Sequence, residues 1–227
     1  GEAIAGAWSP FPVEQWLETV VAAGAFSLEL KDRMAVASRA LGPLLPPFRE
    51  AAPVLVAAAP GQPMWAGLVL TGFVEIYGIE DPDVAVSTLA ELTKHGTAEI
   101  SIRPFIHRDP EHLLPTLHRW AADPDEHVRR LAAEGTRPRG VWVMHLPAFR
   151  RDPRTVVALL DRLRADPSLY VSKAVANNLN DIGKDHPEIL ADTCRRWLEG
   201  AGPERSWLVR HALRSAVKRG EKGALPR

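Results

Sequence analysis

The chain has 227 residues, 46% of them apolar, with 28 Lys+Arg balanced by 28 Asp+Glu and a single cysteine. That apolar content supports a packed core and excludes a disordered chain, while one cysteine excludes a disulfide framework or a cysteine-based zinc cluster and points to a reducing compartment. The balanced charge hides an asymmetry: residues 1–126 carry 8 Lys+Arg against 17 Asp+Glu, and residues 127–227 carry 20 against 11, so the second half is basic enough to attract a polyanion.

In chain order, the first elements are PVEQWLETVVAAGAF and LELKDRMAVASRALGPLL. Their Leu, Val and Ala at spacings of three and four predict amphipathic helices, read as a helical cap or first repeats over about residues 1–80. The apolar stretches at 51–60 and 64–74 are broken by Pro and Gly. Neither approaches the roughly 18 to 20 residues of a membrane span. The N-terminus opens with an acid and lacks the basic region of a signal peptide. A soluble cytoplasmic protein with no membrane association is expected, trimmed at its start.

DPDVAVSTLAELTKHG (81–96), followed by TAEISIRPFI (97–106), reads as a degenerate earlier copy of a two-helix pattern that becomes clear downstream. DPEHLLPTLHRW (109–120), DPRTVVALLDRL (152–163) and HPEILADTCRRW (186–197) each place a proline one residue after Asp or His, and an apolar residue (Trp120, Leu163, Trp197) ten positions beyond it. The second members also align: DPDEHVRRLAAEG (123–135) matches DPSLYVSKAVANN (166–178) at a spacing of 43, and GPERSWLVRHALRS (202–215) more loosely. This is a two-helix repeat of about 35 to 45 residues, with Asp capping free N–H groups and Pro at the first helical position. Alternating helices without strand-like alternation predict an all-α fold, a HEAT-like α-solenoid with a concave, basic face. One domain is expected over 1–227, with its clearer repeats at about 81–223. Trp120, Trp197 and Cys194 are expected in the core, Trp207 is left open, and His107, His112 and His118 are expected at the surface. The histidines show no metal-ligand spacing, so no metal and no cofactor is expected.

Within this frame the stretch AAEGTRPRGVW (132–142) is unusual. Val128, Leu131 and Ala132 form an apolar stripe, whereas Arg130, Glu134 and Arg137 fall at i, i+4 and i+7 on another face. The next copies offer Lys173, Asn177 and Asp181, then Arg210, Arg214 and Lys218. Second helices of adjacent repeats stack about 8 to 10 Å apart, so Glu134 and Asp181, each near the end of such a helix, can converge on one cleft. Carboxylates in a cationic stripe need either a structural partner, Arg130 or Arg137 for Glu134 at helical spacing, or a positive centre that develops in a substrate.

TAEISIRPFI, HVRRLAAEGTRPRGVW, YVSKAVANNLNDIGKDHPE and WLVRHALRSAVKRG, in order over about residues 11–223, resemble the AlkC branch of the AlkD-like DNA alkylation-repair glycosylases, which are HEAT-like repeat proteins. The resemblance implies excision of cationic alkylated bases, chiefly 3-methyladenine, from duplex DNA. A monomer is expected. It assigns Glu134 and Asp181 as the catalytic carboxylates that stabilise an oxocarbenium-like sugar and place a water. It makes Trp142 the aromatic contact beside the sugar or lesion. Arg103, Arg137, Arg139, Lys173, Lys184, Arg210, His211, Arg214 and Lys218 become expected phosphate contacts, and Asn177, Asn178 and Asn180 are read as orienting Asp181 or capping the helix end. The chain departs from the family at Arg139-Gly140-Val141-Trp142, where arginine-leucine-proline-tryptophan is usual, and in a short or missing first helix.

Overall fold

The structure, a computed structural model, describes residues 1–140 and 143–220. Trp142, the expected lesion contact, lies outside the described residues. The described residues form helices and turns and no strand. Two compact units, Gly1–Phe105 and Ile106–Arg227, divide the chain.

The first unit contains α1 (Glu2–Ala7), α2 (Val13–Ala22), α3 (Leu30–Arg39), α4 (Phe48–Ala58), α5 (Met64–Tyr77) and α6 (Pro82–Leu92). The apolar stretches at 51–60 and 64–74 lie largely in α4 and α5, separated by a turn in which Gly61 adopts a positive φ of 75°. α3 packs on α5, and α4 packs on α6, around the fully buried Leu41, Leu55, Phe73, Val74 and Leu89. Ser38 donates to the Val69 carbonyl at 2.9 Å, an approach that Gly72 permits because a Cβ there would meet Ser38 Oγ at 2.5 Å. TAEISIRPFI is mostly turns rather than a full second helix; only its last four residues enter the short α7 (Arg103–Arg108), which begins at the residue before Pro104.

The second unit realises the predicted pairs: α8 (Pro110–Trp120) with α9 (Glu126–Gly135), α11 (Arg154–Leu163) with α12 (Leu169–Ile182), and α13 (Pro187–Leu198) with α14 (Pro203–Lys218). A short α10 (Pro147–Arg151), which the periodicity did not reveal, precedes α11. The second helices stack on one another, with α12 packed against both α9 and α14. Val128, Leu131, Leu160, Val175, Leu179 and Ala212 are buried at these contacts.

The capping logic holds unevenly. Asp109 accepts from the His112 amide at 3.0 Å and Asp125 from His127 at 2.8 Å. Asp81 pairs with Arg49 and makes no side-chain cap, and α11 has Pro153 at its N-cap rather than inside its first turn. Replacing Asp109 by Ala is expected to cost about 1 kcal/mol and to lower the melting temperature by about 2–4 °C, read in a thermal melt.

Trp120 and Trp197 are buried, and the Trp197 indole N–H donates to Asp161 Oδ1 at 2.5 Å. His107 and His112 are exposed, whereas His118 is half-buried. Cys194 is buried, and its desolvation pushes the thiol up to about 12. The folded protein should therefore resist a water-soluble thiol reagent at pH 7 and react once denatured; rapid labelling of the native protein would contradict this.

Candidate active site

Glu134 and Asp181 are the penultimate residues of α9 and α12. A helix C-terminus carries partial negative charge, so an acid in its last turn is disfavoured unless a cation answers it. Here Arg137 does so for both. It donates to Glu134 Oε1, and from Nε to Asp181 Oδ2 at 2.8 Å, with its Nη2 in ion-pair contact with the same oxygen at 2.7 Å. Lys184 Nζ approaches the other Asp181 oxygen at 2.6 Å. Glu134 is 9% exposed and Asp181 1%. Burial alone would push the Arg137 guanidinium down; the charges of Glu134 and Asp181, with hydrogen bonds to both, more than offset it and hold the value up.

The two carboxylates expected to converge are thus brought together through one guanidinium. Of the two structural partners considered for Glu134, Arg137 forms an ion pair, while Arg130 lies over the Tyr170 ring at 4.7 Å. The asparagines reach neighbouring helices rather than the Asp181 carboxylate itself. Asn178 donates to the Ala133 carbonyl at 2.7 Å and to Thr136 Oγ1 at 3.0 Å, which ties α12 to α9. Asn180 donates to the Ala212 carbonyl at 2.7 Å and accepts from Ser215 at 3.1 Å, which ties α12 to α14. Asn177 accepts from Arg214 Nη2 at 2.8 Å. Asp181 is therefore fixed by stitching its whole helix on both neighbours. Gly183 adds to this, since a Cβ there would meet Leu190 at 2.3 Å.

The expected phosphate contacts divide into several groups. Lys173, Arg210 and Lys218 are exposed on α12 and α14. Arg137 and Lys184 are engaged by the carboxylates, and Arg214 is held by the His211 carbonyl and Asn177. Burial, followed by the charges of Arg214 and Lys173, lowers the His211 value, so the ring is uncharged at neutral pH and stacks on Trp207 at 5.1 Å between centroids. Arg103 is a correction: flanked by the buried Ile102 and Phe105, it is 1% exposed and offers no guanidinium to a phosphate.

Sequence reasoning missed Asp185 and Arg150. Arg139 forks onto Asp185 through Nε at 2.7 Å and Nη2 at 2.5 Å, and Arg150 reaches the same two oxygens at 3.2 Å each. The available signal was an acid one turn beyond Asp181, in NDIGKD. The Arg139 hydrogen bond, opposed by burial and aided by Arg150, holds the Asp185 carboxyl well below the usual range. Its stabilisation is accordingly present above the unfolded value of about 3.9 and lost as pH falls through the lower folded value. An NMR titration should find Asp185 ionised at pH 3; half-protonation near 3.9 would contradict the clamp.

Among the described residues, no group of three or more His, Cys, Asp and Glu could hold a metal ion, and no helix is long and apolar enough to cross a membrane.

A family model described as DNA alkylation repair enzyme matches residues 93–219. The uncharacterized protein YhaZ of Bacillus subtilis (strain 168) is 37% identical over 223 residues, covering 98% of this chain and 62% of that protein. The solved structure of Pseudomonas fluorescens alkylpurine DNA glycosylase AlkC, bound to DNA containing an abasic site analog, superposes with a TM-score of 0.92 at 37% identity, covering 98% of this chain and 62% of that one. The chain thus spans less than two thirds of the length of the relatives it matches.

Proposed function

The chain belongs to the DNA alkylation repair enzyme family and has its all-α, α-solenoid type of fold, and on that premise we propose that it is a monofunctional DNA glycosylase. It hydrolyses the N-glycosidic bond of cationic alkylated bases, chiefly 3-methyladenine, in duplex DNA. The observation that carries this reading is the closure of two buried carboxylates, from successive second helices, on one planar cation.

The chemistry requires such an arrangement. Adenine methylated at N3 is positively charged and leaves as a neutral molecule, so the departing base needs little protonation. The transition state needs an anion beside an oxocarbenium-like sugar and a placed water, as in glycoside hydrolysis. Glu134 and Asp181 supply both, and Arg137 offsets their mutual repulsion in the free protein. Trp142, three residues after Arg139, is the proposed contact beside the sugar or lesion. Lys173, Arg210 and Lys218, with Arg139, engage phosphates, so binding is salt-dependent and largely blind to sequence. No cofactor is required. The protein acts as a cytoplasmic monomer, and residues 1–227 work as one domain.

Selectivity rests on the lability of the cationic lesion rather than on a pocket for a flipped base. DNA treated with a methylating agent is the test substrate, with released bases identified by mass spectrometry. Release of 3-methyladenine by the chain, and its loss on Glu134→Gln, is the expected result. Efficient release of uracil or hypoxanthine would contradict the proposed selectivity. No release, with salt-sensitive duplex binding intact, would replace the reading with a non-catalytic DNA-binding protein; weak binding without salt dependence would indicate a protein scaffold.

A further inference from the structure

Asp185 lies four residues beyond Asp181, and Arg139 two beyond Arg137. Two arginine–carboxylate contacts therefore join the segment leaving α9 to the segment leaving α12, and the second has a feature the first lacks. Its carboxylate carries two guanidiniums, Arg139 and Arg150, both on the same pair of oxygens. One arginine already satisfies an aspartate bidentately, so a second adds like-charge repulsion that a single carboxylate only half neutralises. Arg150 is nevertheless fixed there: its carbonyl is hydrogen-bonded by His186 Nε2 at 2.7 Å, which anchors α10 to the start of α13. Both arginines use their Nε and Nη2 edges on Asp185, and the Nη1 of each has no hydrogen-bond partner among the described residues. Their side chains are 32% and 37% exposed, against 20% for Asp185.

We propose that Arg139 and Arg150, aimed by Asp185, form a clamp for one backbone phosphate of the DNA. The clamp's net charge is positive, its two forks are pre-oriented, and a phosphate supplies the second anion that two guanidiniums need. Arg139 and Arg150 are the contacting residues, and Asp185 is a positioning residue that touches no phosphate. This rests on the DNA-repair reading above, but its test does not require base excision.

The experiment measures duplex binding as a function of salt for the unsubstituted chain and for Arg150→Gln, Arg150→Lys and Asp185→Asn, with a thermal melt of each. The clamp requires Arg150→Gln to reduce the slope of log Kobs against log salt by about 0.9. Arg150→Lys should keep the slope and lose affinity, because the charge remains and the fork does not. Asp185→Asn is decisive: it raises net positive charge, yet should weaken binding on the order of ten-fold. Tighter binding with a steeper slope on Asp185→Asn would show that the aspartate only masks the arginines, and would overturn the proposal. So would an unchanged slope on Arg150→Gln, and if Asp185→Asn does not fold, the two Arg150 variants decide. Absence of salt-dependent binding by the unsubstituted chain would instead remove the DNA reading itself.

Discussion

Glu134→Gln is expected to lower the rate of 3-methyladenine release by about 10²- to 10³-fold while leaving duplex affinity and its salt dependence nearly unchanged. The substitution keeps the shape of the side chain and removes its charge. A preorganised charge facing a cationic transition state contributes on this scale because the site is largely closed to water, which strengthens the interaction; Glu134 is 9% exposed. The fold should tolerate the change, since Arg137 retains both contacts to Asp181. Single-turnover kinetics on methylated DNA give the rate, and a parallel binding titration gives the affinity. A rate within about three-fold of the unsubstituted protein would remove Glu134 from the chemistry.

Asp181→Asn should lose activity and also destabilise the protein, which separates its role from that of Glu134. Asp181 is 1% exposed and receives Arg137 through two nitrogens and Lys184 through one. Removing one partner of a buried ion pair costs about 3–5 kcal/mol when it leaves an uncompensated charge; here Arg137 keeps Glu134, so the low end, about 3 kcal/mol, is expected. For a chain of this size that is a fall of roughly 6–12 °C in melting temperature. The companion variant Arg137→Gln removes the cation that the two carboxylates share, so the double variant should be less destabilised than the sum of the two single effects. Strict additivity in that cycle would mean that Arg137 and Asp181 do not interact in solution.

The parts of the fold legible in the sequence are those governed by local physics. Leu117, Leu131, Leu160 and Leu179 fall on apolar stripes at helical spacing, and the Asp-Pro and His-Pro pairs near the starts of α8, α11 and α13 mark where the chain can begin to wind. The same spacing put Glu134 and Asp181 each near the C-terminal end of consecutive second helices, Asp181 one turn beyond Asn177, which is the position that matches Glu134. TAEISIRPFI shows the limit of such reading: its apolar pattern suits a helix, yet most of it turns before α7 begins. α10 is too short for periodicity to register.

What the chain by itself determined was therefore the repeat, the helix pairs, the basic second half, and the placement of two acids near two helix ends. Tertiary structure alone decided what those acids and the surrounding cations touch. Arg137 meets Asp181 across 44 residues and Arg139 meets Asp185 across 46. In sequence Arg137 and Arg139 look alike, as exposed guanidiniums after a helix, and Arg103 looks like a third. Packing made the first a bridge between carboxylates, the second half of an arginine pair, and the third an interior side chain. Periodicity fixes which face of a helix is apolar, because that depends on 3.6 residues per turn. Which charge meets which depends on the register between helices, set by contacts such as Asn178 to Ala133 and Asn180 to Ala212, which no local pattern encodes.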